Sequence, residues 1–228
     1  MKKLKSIVSA GGFFLLLFSC GNTGNNGSNT EKVNLENTYI ASIAIGNQVW
    51  SASNLDVSTF RNGDAITEAK TNEEWEKLGS EQKPAWCYYN NDPANGKKYG
   101  KLYNWYAAND ARGIAPTGWH VPSHTDWKVL TTFLGGEKVA GGKLKETGTT
   151  HWISPNAGAN NSSGFTAIPC GQRGFGGEFY DLENGNWWST TESEPGRAWN
   201  RKMSSSGSSV SYWSYNKEFG LSIRCVKD

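Results

Sequence analysis

Apolar residues crowd the start of the chain, vanish for ten positions, and then return at short, regular spacings. The opening run peaks at Phe13, Phe14, Leu15, Leu16, Leu17 and Phe18, and residues 21–30 hold only Gly, Asn, Thr and Ser. From residue 43 the pattern is that of a folded domain. Residues 43–50 (IAIGNQVW) are β-rich around Gly46-Asn47, which predicts a hairpin. Thr71-Asn72-Glu73-Glu74 is a capping box leading to Trp75 and Leu78, a short helix. Residues 86–90 (WCYYN) read as a strand ended by a polar, turn-forming stretch at 91–96. Leu102, Trp105, Tyr106 and Asn109 recur at three and four residues, predicting an amphipathic helix over 99–109. Ser123-His124-Thr125-Asp126 opens another helix through Trp127, Leu130 and Leu134, stopped by Gly135-Gly136. Beyond residue 141 no strong helical period remains, and short strands and turns are expected. Two or three helices early and short, irregular antiparallel β structure late, with a long loop-rich region, predict an α+β domain.

The first run has a second meaning. Lys2, Lys3 and Lys5 precede an apolar stretch too short to cross a bilayer, the pattern of a secretory signal. It closes on Leu17-Phe18-Ser19-Cys20, which resembles a bacterial lipobox with Cys20 as the first mature residue. Residues 1–19 are therefore expected to be a lipoprotein signal, residues 20–38 a lipidated Cys20 with its flexible tether, and residues 39–228 a single domain. Each acyl CH₂ buried in lipid contributes about 0.8 kcal/mol to the anchor. The expected address is a bacterial cell envelope, an outer membrane at its surface or periplasmic face.

Composition narrows the function. Of 228 residues 11 are tryptophan, more than the nine phenylalanines or nine tyrosines, and 27 are glycine. The formal charge is +2, and −1 once Lys2, Lys3 and Lys5 are removed. A near-neutral surface does not recruit phosphate backbones, which argues against nucleic-acid binding.

Setting Cys20 aside leaves Cys87, Cys170 and Cys225, an odd number in an oxidising compartment. Three pairings are open; Cys87 with Cys225 closes the longest loop, favoured by about a few tenths of a kcal/mol. His120 and His124 stand four apart, yet Pro122 and the cap at Ser123 separate them, so no shared metal is expected. His151 reads as an ordinary loop residue. Gly171, Gly174, Gly176 and Gly177 lack the Lys-Ser/Thr of a phosphate loop and read as a turn. No cofactor is implied.

The segment 199–220 (WNRKMSSSGSSVSYWSYNKEFG) carries the candidate site. Six of the eight residues at 204–211 are serine, yet Tyr212, Trp213 and Tyr215 follow, so the stretch is internal. Ser, Tyr, Asn, Gly and Trp are the residues of antibody paratopes, rigid aromatics beside adaptable polar groups. Trp199, Arg201, Tyr212, Trp213 and Tyr215 are expected to supply contact area and charge, and Ser204, Ser206 and Ser208 polar contacts. The bland alternative is a solvent-facing hairpin.

Several strings in fixed order, IGNQVWSASNLDV, WCYYNNDPANGKKYGKLYNWYAAND, RGIAPTGWHVPSHTDWKVL, AGGKLKETGTTHW, SSGFTAIPCGQR, NWWSTTE and SIRCVKD, resemble the Fibrobacter succinogenes major paralogous domain family of bacterial surface lipoproteins. The resemblance covers about residues 43–228. Where many members carry a cysteine, Ala115 stands here, and Cys170 occupies a position usually small; the resemblance thus implies Cys87 and Cys225 as the disulfide pair. The stretch from Gly118 to Trp127 and the ending Ser222-Ile223-Arg224-Cys225 are also similar to formylglycine-generating-enzyme-like domains. That likeness implies a C-type-lectin-like fold, helices beside a sheet built from both chain ends, and fold alone does not carry function. Neither their active-site cysteine pair nor a calcium-lectin site is matched. Some proteins resembling this family diversify their C-terminal residues, which suits the composition of 199–220.

These observations predict a non-catalytic envelope lipoprotein that binds an extracellular glycan or protein. An enzyme using Cys170 and a purely structural surface protein are the alternatives. Trp50, Trp86, Trp105, Trp119, Trp127, Trp187 and Trp188 are expected in the core, Trp75 and Trp152 as packed anchors, and Trp199 and Trp213 at the site.

Overall fold

The first hairpin forms where the alternation predicts it. In the computed structural model, which describes residues 41–180 and 182–228, β1 (Ser42–Ile45) pairs antiparallel with β2 (Gln48–Ser51) around Gly46, whose φ is 61°. The signal, Cys20 and the tether lie outside the described residues.

Next come β3 (Thr67–Glu68) and α1 (Asn72–Ser80). Thr71 Oγ1 accepts from the Glu74 amide at 3.1 Å, and Glu74 Oε2 accepts from the Thr71 amide at 3.2 Å. This is the predicted box, and α1 buries Trp75. The expected strand at 86–90 is β4 (Ala85–Cys87), cut short by a 3-10 turn in which Asn90 takes φ 56°.

Two expectations change here. The polar stretch after residue 90 is a helix, α2 (Pro93–Tyr99): Asp92 caps the Ala94 amide at 2.9 Å and Pro93 sits in the first turn, where its missing N–H costs nothing. The helix expected over 99–109 is broken in two. Gly100, at φ 73°, ends α2, β5 (Leu102–Tyr103) follows, and only α3 (Trp105–Ala108) is helical. Asn104 is the cause. Its Oδ1 accepts from Ala107 and Ala85 amides, both at 3.0 Å, and its Nδ2 donates to Lys83 O at 2.8 Å, so it caps α3 while tying it to β4.

After β6 (Trp119–His120), α4 (His124–Phe133) carries the second predicted box: Ser123 Oγ accepts from Asp126 N at 3.2 Å and Asp126 accepts from Ser123 N at 2.8 Å. Gly135 and Gly136, at φ 97° and 98°, stop it. An unforeseen helix, α5 (Glu137–Leu144), follows at once. Its glycines hid it, and they are there for close packing. A Cβ on Gly141 would stand 2.4 Å from Ser209 O, and one on Gly142 would stand 2.3 Å from Gly158 O.

The remainder is β7 (Gln172–Arg173), β8 (Phe179–Tyr180), β9 (Asn184–Glu194), β10 (Arg197–Ser204), β11 (Ser211–Asn216) and β12 (Val226–Lys227). The glycine cluster forms the β7–β8 turn, as expected. Strand orders are β1-β2-β12-β6, β11-β10-β9, β3-β4-β5 and β7-β8. The last strand lies between the first hairpin and β6, with Val226 opposite both Trp50 and His120. Among the described residues the architecture is α+β, with small, mostly antiparallel sheets and five α-helices rather than the two or three expected, because α2 and α5 carry no apolar period.

All nine tryptophans expected to be packed are buried. Trp50, Trp127 and Trp187 share one cluster with Phe165 and Met203, while Trp86, Trp105, Trp119 and Trp188 share another with Tyr103. The Cys87–Cys225 bridge is not formed; Cys87, Cys170 and Cys225 are free, buried thiols. Cys87 packs in a third cluster with Trp75 and Leu102, Cys225 in the Trp119 cluster, and Cys170 beside Trp187, so each side chain fills a different part of the core.

Long loops leave many carbonyls inside, and buried cations satisfy them. Arg224, 2% exposed, donates to Ser51 O at 2.7 Å, Phe165 O at 3.2 Å and Thr166 O at 3.2 Å, fastening the last strand to the first hairpin. Arg173 reaches Ala69 O at 3.0 Å, Thr71 O at 2.8 Å and Gly177 O at 2.9 Å. Lys145 donates to Ala157 O, Ser204 O and Gly207 O at 3.0, 2.9 and 2.8 Å. Isolated buried charge is costly, and several charge-assisted bonds per cation offset that cost.

Candidate functional site

The candidate segment is the β10–β11 hairpin. Its register sets Trp199 opposite Ser214, Asn200 opposite Trp213, Arg201 opposite Tyr212, and Lys202 opposite Ser211. Residues directly opposite in an antiparallel pair share a face, and neighbours along a strand alternate. The expected single patch therefore divides. Trp199, Arg201 and Tyr212 lie on one face; Trp213 and Tyr215 lie on the other.

On the first face Trp199, Tyr212 and His124 form a triangle of rings with centroids 5.4–5.5 Å apart. Tyr212 is 45% exposed. Arg201 is not a surface charge: it is 2% exposed, and its guanidinium donates to His124 O at 3.1 Å and Asn200 O at 2.9 Å, with the Tyr212 ring over it. Burial pulls its pKa down to about 10, leaving it charged at neutral pH. Arg201 thus holds the hairpin to the start of α4. His124, the first residue of that helix, has a pKa below its ordinary value, through burial first and the Arg201 charge second.

On the second face Trp213 is 54% exposed and held at both ends: its amide donates to Asn200 Oδ1 at 3.3 Å and its indole Nε1 to Ser211 Oγ at 3.3 Å. Tyr215 is half-buried and packs on the core, its ring 4.9 Å from that of Phe219, and burial raises its pKa. Beside Lys202 a polar cleft opens, lined in part by Asn186 of β9 and Gln172 of β7.

The serine segment is less open than its composition suggests. Lys145 grips two of its carbonyls, Ser208 Oγ donates to Lys138 O at 3.2 Å, and Ser205 is buried. Ser204 and Ser206 bond to each other through their hydroxyls at 2.9 Å. Serine is used here because its small side chain lets the loop lie against α5.

The other candidates have structural settings. His120 Nδ1 lies 2.7 Å from Asp228 and its Nε2 3.4 Å from Asp126; His151 Nδ1 lies 2.7 Å from Glu146. Burial pushes the Cys87 and Cys225 thiols up to about 12 and raises Cys170 as well. Sequence reasoning missed Asn186, Gln172 and Lys202, because the cleft is assembled from strands far apart in the chain.

These features define an α+β domain that displays aromatic side chains from a C-terminal hairpin braced on its core. Over residues 43–227 the chain matches the Fibrobacter succinogenes major domain, and it belongs to that family. No curated protein and no solved structure matches it.

Proposed function

We propose that this is a non-catalytic recognition domain of a bacterial cell-envelope lipoprotein, anchored through acylated Cys20 and binding an extracellular glycan or protein. The observation that carries the reading is Trp213: a large ring 54% exposed, its indole N–H bonded to Ser211 and its backbone amide to Asn200, on a hairpin beside a polar cleft. Rigid exposed aromatics give contact area at little entropic cost. Tyr212, on the opposite face, offers a second aromatic contact. Family membership and the lipobox favour the envelope, at the surface or periplasmic face of an outer membrane. The pairing of both domain ends in one sheet supports the C-type-lectin-like fold that the resemblance implies.

The enzymatic alternative finds less support. A thiol nucleophile must ionise, and Cys170 is fully buried with its pKa raised. Its sulfur accepts from the Asn186 amide at 3.4 Å, with the Asn186 carbonyl 3.6 Å away, which is a packing arrangement.

Glycan and protein arrays probed with the intact protein and with Trp213→Ala test the proposal. Binding that the substitution abolishes supports it. Silence on both arrays, or binding indifferent to Trp213→Ala, refutes it.

A further inference from the structure

The cleft beside Lys202 has a chemistry of its own. It encloses about 240 Å³ and is lined by Gln172, Tyr180, Glu183, Asn184, Asn186 and Lys202. The β7–β8 hairpin supplies Gln172 and Tyr180 as register partners, and Asn186 of β9 pairs with Lys202 of β10. Asn186 and Lys202 therefore stand side by side on the face that carries Trp213.

Asn186 is 2% exposed, yet its Oδ1 has no hydrogen-bond partner among the described residues, and neither does the buried Gln172 Oε1. Folded proteins pair nearly all such atoms. Both amides line the cleft with hydrogen-bonding capacity left unmet, which points to polar groups supplied from outside the chain.

We infer that the cleft takes a neutral, polyhydroxylated ring, a sugar unit of an extracellular glycan. This rests on the recognition reading above and names its ligand class. A side-chain amide presents a carbonyl acceptor beside an NH₂ donor, which suits two neighbouring hydroxyls. Glu183 adds an acceptor and Lys202 a donor. With one carboxylate and one ammonium, Glu183 and Lys202 give the cleft no net charge, which favours a neutral ligand over an anionic or a cationic one. The volume lies below the roughly 300–1,000 Å³ of pockets for drug-sized ligands, so it admits one ring rather than a folded peptide. Trp213 completes the site. Its indole N–H turns the ring edge to Ser211, the register partner of Lys202, and leaves the exposed ring on the strand face that carries Lys202 and Asn186, where a sugar reaching out of the cleft stacks on it.

The test is an array of neutral and acidic glycans probed with the intact protein, followed by calorimetry with the free oligosaccharide that binds best. Gln172→Leu and Lys202→Met each remove one polar partner at the cleft rim. Each is expected to weaken neutral-glycan binding about tenfold, the net worth of roughly one hydrogen bond, with an unchanged thermal midpoint. Selective binding of acidic glycans, or no glycan binding at all, overturns the inference. Binding that falls with Trp213→Ala but not with either cleft substitution also overturns it, leaving the recognition reading intact. Silence on glycan and protein arrays alike overturns both.

Discussion

Lys145→Met removes one ammonium and keeps an apolar stem of similar length, so it isolates the role of a buried cation. Lys145 is fully buried and spends its three N–H donors on the carbonyls of Ala157, Ser204 and Gly207, at 2.8–3.0 Å. Its Nζ also lies 5.3 Å from the Trp152 ring centroid. A hydrogen bond to a charged group contributes about 1.5–3 kcal/mol, so three sum to several kcal/mol. Desolvation opposes them, and burial does lower the Lys145 pKa. Deleting the cation also leaves three carbonyls unpaired, each costing about 1–3 kcal/mol, so with the ammonium's desolvation relieved the net loss should be about 3–5 kcal/mol. Against a total stability of about 5–15 kcal/mol, that is a large share. At roughly 2–4 °C per kcal/mol for a domain of this size, the thermal midpoint should fall by roughly 10 °C. Urea unfolding measures the loss, and hydrogen exchange locates it. The amides of Ala157 and Gly142, bonded to Ser205 O and Ser208 O, should lose protection first. A change within about 0.5 kcal/mol, the range of an ordinary surface substitution, would refute the reasoning.

Other consequences follow from the same contacts. His124 has a folded pKa below its unfolded value, so the unfolded chain binds more protons and stability falls as pH drops from near 6.5 toward the lower folded value. Urea midpoints between pH 8 and 5 should decline less in His124→Gln than in the native protein; identical slopes would contradict this. Gly142→Ala places a methyl against Gly158 O and should destabilise by about 1–3 kcal/mol, through overpacking; a neutral melt would show that the α5 contact is slack. Native Cys87, Cys170 and Cys225 should resist a thiol reagent at pH 8, and all three should react on unfolding without reductant. Mass spectrometry of a Cys87–Cys225 peptide pair would overturn the free-thiol assignment.

Where local rules decide structure, the sequence was readable. Both capping boxes, the Gly46 turn and the Gly135-Gly136 stop rest on contacts within a few residues, and each formed as expected. The helix predicted across 99–109 failed because Asn104 bonds to Ala85 and Lys83, partners about twenty positions away that no periodicity reveals. Helix α5 was hidden by glycines whose purpose is the approach of Ser209 and Gly158. Tryptophan burial was legible because large apolar rings have few other places to go. The buried cations were not: Arg201 read as a surface charge because composition cannot distinguish a ligand contact from a clamp on loop carbonyls. The site divided for a related reason. Trp199 to Tyr215 are close in sequence, but a strand sends alternate side chains to opposite faces. The cleft drew on Gln172 and Asn186, outside the segment that composition singled out.

The recognition reading is tested most directly by titrating the intact protein and Trp213→Ala with the ligand that an array identifies. Trp213 is largely exposed, so its loss should leave the thermal midpoint within about 1–2 °C of the native value. Binding should weaken by at least about thirtyfold, as expected for an aromatic anchor worth 2 kcal/mol or more. Equal affinity of the two proteins for every ligand found, with both fully folded, would contradict the account.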